Sequence, residues 1–259
     1  MKRYHRLDEL RGLVFISMVL YHGMWDLVYL FGFEAQWYKT EIGSVWQQSI
    51  CWSFILLSGF CWSFGRKKYR HAAVVSGAGI LVTLVTCLFL PQERVIFGVL
   101  TFLGAAAFIA AVLQPLLLRC VPAAGMAAST LLFLITGNVN RGCLGLGNWQ
   151  WGVLPDAWYA NLFTTFLGFP APDFYSADYF SLFPWLFLYL SGYFLYRCLT
   201  GKRRSGAEVY SGEEPASLPH FLERGHVPVL QWIGRHSLLL YLLHQPVLFV
   251  LLSIGNALC

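Results

Sequence analysis

The sequence predicts an all-α fold, a polytopic transmembrane helix bundle with its N-terminus inside. Three observations predict it. Of 259 residues, 57% are hydrophobic and only 12% are charged, about half the charged share of an ordinary soluble domain (roughly 25%). Mean hydropathy is +0.57. The charges bunch between apolar runs long enough to cross a bilayer, which takes about 20 residues of helix.

About seven runs qualify as spans, near 12–31, 44–64, 72–90, 96–118, 123–137, 179–199 and 236–255, with room for further short or re-entrant helices. The first is read as retained, because Asp8 and Glu9 stand in its basic flank and no small-x-small cleavage site follows. The fifth is short and rich in Ala and Gly, which suits close helix packing. Placing the N-terminus inside puts 15 of the 18 lysines and arginines on the cytoplasmic side and leaves Lys39, Arg94 and Arg141 outside. The positive-inside rule therefore orients the chain N-in, C-out. A net charge of +5 then reflects a cytoplasmic membrane surface and calls for no nucleic-acid partner.

Residues 1–259 read as a single transmembrane domain with two long connections. The first, 138–178, faces outward; its Gly, Pro and aromatic content, as in "GNVNRGCLGLGNWQWG", predicts an ordered cap or half-buried piece. The second, 200–228, begins "TGKRRSGAEVYSGEEPAS" and reads as a flexible cytosolic linker. After it, "PVLQWIG" is expected along the interface. The seven cysteines lack CxxC or Cys/His ligand spacing, so neither a disulfide framework nor a metal site is expected.

Polar residues inside the apolar runs point to chemistry. In "RLDELRGLVFISMVLYHGMWDL" (6–27), His22 and Asp26 stand well inside the first span. Arg11 lies about 16 Å and three turns below His22, on nearly the same stripe of the helix. Asp26 is i+4 from His22, a spacing at which side chains can meet and a carboxylate can hold an imidazole as a general base. His244, in "LLLYLLHQPVLF", lies about 12 Å inside the last span, followed by Gln245 and the helix-breaking Pro246. Intramembrane ionisable groups are costly and mark pathways or sites. With Asp178 at the outer start of the sixth span, and with Tyr175, Thr101 and Gln245, these residues are candidates to line one outward-opening cavity. Asp178 at a span boundary reads first as a helix cap, and a lone His244 serves equally as a partner for a nearby carbonyl.

The segments "LDELRGLVFISMVLYHGMWDL", "IFGVLTFLGAAAFIAA", "FYSADYFSLFPWLFLYLSGYFLYR" and "IGRHSLLLYLLHQPVLF" resemble bacterial members of the heparan-alpha-glucosaminide N-acetyltransferase catalytic-domain family. The Arg11-x10-His22 spacing is also similar to the signature of a wider superfamily of membrane acyltransferases. The resemblance implies transfer of an acetyl group from cytosolic acetyl-CoA (acyl-CoA) to an extracytoplasmic sugar or glycan, with no metal, in a bacterial plasma membrane. Carried over to this chain, Arg11 holds a coenzyme phosphate, His22 acts at the reacting centre as base or acyl carrier, and Asp26 orients it. Two departures accompany it. Thr101 stands where the bacterial relatives carry His. A lysosomal member carries Asn at the position of His22 and its catalytic His in the following loop, whereas the loop here, "FGFEAQWYKTEIG", has none. Oligomerisation is left open. Two other function classes compete: a proton-coupled transporter or flippase relaying protons through His22, Asp26 and His244, and a non-catalytic scaffold.

Overall fold

The computed structural model describes residues 4–200 and 218–258. Among these, ten α-helices, α1 (His5–Tyr29), α2 (Glu41–Trp62), α3 (Lys68–Phe89), α4 (Val99–Val112), α5 (Gln114–Arg119), α6 (Pro122–Thr136), α7 (Leu162–Leu167), α8 (Trp185–Thr200), α9 (Pro228–Arg235) and α10 (Ser237–Leu258), carry most of the chain. They form a helical bundle with one two-stranded antiparallel hairpin, β1 (Cys143–Leu146) and β2 (Trp149–Val153). Four stretches are long and apolar enough to cross a membrane: His5–Tyr29, Lys68–Phe89, Pro122–Arg141 and Ser237–Gly255. Most of the linker expected over 200–228 lies outside the described residues. No disulfide joins the described cysteines.

Chain contacts divide the fold into two compact units. The first takes the chain through Phe54 and again from Leu218. Here α1 packs on α9 at van der Waals closeness because each helix presents a glycine. A Cβ at Gly12 would strike the Leu230 carbonyl, and one at Gly234 would strike that of Asp8. Phe15, Met18 and Ile50 form the buried centre, flanked by Trp46, Ile233, Leu240 and Tyr241. A second cluster joins Val28, Ala35 and Tyr38. The Tyr38 hydroxyl donates to the Tyr21 carbonyl at 3.1 Å, and burial raises its phenol pKa well above the usual value.

The second unit starts at Ile55. Small residues again set its helix contacts. Gly79 of α3 faces the backbone of Thr101 on α4, Gly104 of α4 faces Ser76 on α3, and Gly59 faces the Tyr189 carbonyl. Between α6 and α8, Thr130, Ser129 and Ser191 share a hydroxyl network with oxygen separations of 3.0–3.2 Å. The buried Arg197 guanidinium donates to the carbonyls of Leu117, Leu118 and Cys120, closing the C-terminal end of α5.

Two boundaries differ from the expected spans. The run 96–118 divides at Leu113 into α4 and α5, because Pro115 supplies no N–H for the preceding turn and its ring crowds it. The run 179–199 becomes helical only at Trp185, immediately after Pro184, whose ring biases the residue before it away from helical dihedrals. The connection 138–178 holds the hairpin and α7, which opens on a reciprocal cap between Asn161 and Thr164.

Candidate functional site

Helices α1 and α10 pack side by side within the first unit. Their contact brings together the polar groups that interrupt both apolar runs. The rings of His22 and His244 lie 5.1 Å apart, centre to centre, at 61°. Aromatic rings surround the pair: Tyr21 sits 6.0 Å from His22, and Tyr241 and Phe15 lie 5.2 and 6.4 Å from His244. The Nδ1 of His244 lies 2.5 Å from the Tyr241 carbonyl oxygen. A carbonyl can only accept, so Nδ1 carries the proton and Nε2 presents a lone pair. That Nε2 is buried and has no partner.

Next to the histidine pair, Asp26 is fully buried, with 0% of its surface uncovered. Its Oδ1 accepts from Nε2 of Gln245 at 3.0 Å, while Asp26 Oδ2 and Gln245 Oε1 are buried without partners. The carboxylate therefore bonds across to α10 instead of along α1, where its i+4 spacing from His22 had pointed. Three buried atoms thus stand unpartnered, and with Asp26 ionised all three are acceptors. Buried polar groups are nearly always bonded, so these three atoms on the facing helices α1 and α10 make this contact the candidate site.

Arg11 lies towards the N-terminal end of α1, 4.0 Å from Asp8. Asp8 also receives Arg235 of α9 at 3.3 Å. Here the sequence reading missed Glu9. Its Oε1 accepts from the backbone N–H groups of His226 and Val227 and from the Gln231 side chain, holding the start of α9 against α1. The signal was present: an acidic residue facing a chain about to enter a helix at Pro228.

The remaining candidates belong to the second unit. Asp178 Oδ2 accepts the Val99 N–H at 3.1 Å and so caps α4. Tyr175 is exposed, with the Arg94 guanidinium 5.5 Å above its ring. Thr101 packs against Gly79. Among the described residues no group of three or more His, Cys, Asp or Glu is arranged to hold a metal.

The family model of the heparan-alpha-glucosaminide N-acetyltransferase catalytic region matches residues 3–246. The chain belongs to that family. The match runs through both units and takes in Arg11, His22, Asp26, His244 and Gln245. No curated protein and no solved structure matches the chain. Membership points to transferase activity, in a family that uses acetyl-CoA as donor, and the four apolar stretches point to a membrane.

Proposed function

We propose that this family member is a multi-pass acetyltransferase carrying an acetyl group from cytosolic acetyl-CoA to an amine or hydroxyl of an extracytoplasmic sugar or glycan. The N-terminus is cytoplasmic, the C-terminus is outside, and residues 1–259 work as one acyltransferase domain. The observation that carries the reading is the facing pair His22 and His244, set inside two apolar helices beside three unpartnered acceptor atoms.

Each group has a part in the reaction. His22 is half-buried, and the Nε2 of His244 is buried with its lone pair unpartnered. His22 takes the proton from the acceptor as its nitrogen or oxygen attacks the thioester carbonyl carbon. The C–S bond breaks, the acetyl group stays on the acceptor, and the coenzyme thiolate leaves and takes the proton held by His22, which restores the neutral imidazole. General-base help of this kind contributes about 10²–10⁴-fold. With Asp26 ionised, the unpartnered atoms of Asp26, Gln245 and His244 are acceptors, so they hold a donor-rich group in place. An amine, with more N–H bonds than a hydroxyl has O–H bonds, satisfies more of them. Arg11, about 16 Å along α1 from His22, binds a coenzyme phosphate by charge-assisted hydrogen bonds, while the pantetheine arm covers the distance between them.

Purified protein in lipid nanodiscs, given radiolabelled acetyl-CoA and an amino-sugar acceptor, tests the reading. His22→Ala is expected to remove transfer while the protein stays folded and inserted. Full transfer by that variant ends the proposal.

A further inference from the structure

Residues 143–153, "CLGLGNWQWGV", contain no charged side chain, yet they form a hairpin whose second strand is open to its surroundings. On β2, Trp149 is 72% uncovered, Trp151 58% and Val153 89%. The pairing sets Gly145 against Gln150 and Leu144 against Gly152, which leaves Trp151 as the extra residue of a bulge. A bulge re-aims the side chain it carries. Nearby in sequence, Trp158, Leu162 and Phe163 are also uncovered. An apolar, charge-free edge of this kind is unfavourable against water and signals a partner surface.

The hairpin is fastened to the end of a membrane-capable stretch. Two residues after α6 stops at Thr136, the buried Asn138 accepts no freedom of its own. Its N–H donates to the Gly145 carbonyl at 2.7 Å, and its amide donates to the carbonyls of Gly147 and Trp149 at 3.0 and 3.2 Å. Gly137 is packed against Leu146 so closely that a Cβ there would collide with it. The hairpin therefore begins where α6, with Leu131, Leu132 and Leu134 uncovered on its flank, leaves the hydrocarbon. Trp prefers that depth, since its ring is apolar and its N–H needs a polar neighbour.

We infer that the β1–β2 hairpin is a membrane-interface anchor: Trp149 and Trp151 lie in the headgroup–acyl boundary of the leaflet at the C-terminal end of α6. The occupant of this face is lipid, held by continuity with the lipid-facing side of α6. A sugar chain stacked on the same two rings is the competing outcome.

Brominated phosphatidylcholine in nanodiscs decides it, because bromine quenches only tryptophans within reach. The full chain has ten tryptophans. Bromines near the carbonyl end of the acyl chain are expected to quench the native protein. In W149F/W151F the quenched emission is expected to fall by about two tryptophans' share, with a smaller fall for bromines near the chain terminus. W151F alone, the milder change, is expected to show about half the effect. Equal quenching of native protein and both variants overturns the inference. So does emission from these two residues that shifts with soluble oligosaccharide and not with lipid.

Discussion

His22 and His244, on the first and last described helices, place their rings 5.1 Å apart. On the proposed mechanism, two imidazoles at that distance act on the same bound group, so their losses should overlap. His22→Ala is expected to lower kcat by about 10²–10⁴-fold, the contribution of a general base, and His244→Ala to lower it less. The double variant should fall well short of the product of the two, because residues acting as a unit are not additive. Single-turnover acetyl transfer by the three variants measures this.

The bond from Gln245 to Asp26 gives a separable prediction. Gln245→Leu leaves Asp26 with neither oxygen partnered by a side chain of α10, in a place with no surface uncovered. Such a loss costs about 1–3 kcal/mol, and thermal unfolding in detergent should register it. Asp26→Asn keeps the shape and offers an N–H where an acceptor stood. We expect it to weaken acceptor binding, raising KM for the sugar while KM for acetyl-CoA holds.

Packing between α1 and α9 rests on two glycines. Gly12→Ala or Gly234→Ala drives a methyl into a backbone carbonyl of the facing helix, and neither carbonyl belongs to a flexible side chain that can swing away. Overpacking of this kind costs about 1–3 kcal/mol. The unfolding midpoint should drop for both variants. Gly255→Ala, with open space around it, serves as the control that should not move.

Asp178 separates a cap from an acceptor residue. Its carboxylate accepts the Val99 N–H, so Asp178→Ala should cost about 1 kcal/mol, in the range of lost helix caps. Steady-state kinetics are expected to stay within about twofold of the native enzyme, since a loss below 0.5 kcal/mol in transition-state binding corresponds to roughly that factor. A large rise in acceptor KM would instead place Asp178 in the substrate path.

The helices were legible in the sequence because each long apolar run has little choice but to be helical in lipid. His22, Asp26 and His244 stood out for the same reason turned round, since such groups are costly in hydrocarbon. Their gathering towards one cavity was read from the sequence, but the partner of Asp26 was not legible. Spacing along one helix offered Asp26 to His22, and only the packing of α10 on α1 shows Gln245 taking that place. The hairpin was missed although "LGLGNWQWG" spells it: Gly147 and Asn148 form the two-residue loop between paired Leu146 and Trp149, and Gly147 has a φ of +59°, which such a turn needs. Its surroundings were read only as Gly-rich and ordered. The break at Leu113 was written in Pro115 and overlooked because the run around it stays apolar.

The central claim is that a thioester entering past Arg11 reaches the ring of His22. A cryo-EM structure of the chain in nanodiscs with bound coenzyme A tests it most directly. The account predicts coenzyme phosphates within hydrogen-bond reach of Arg11 and the sulfur within about 3–4 Å of the His22 imidazole, the range of a near-attack geometry. A coenzyme bound with its sulfur far from both His22 and His244, or a His22 ring turned out among the lipid chains, would contradict it.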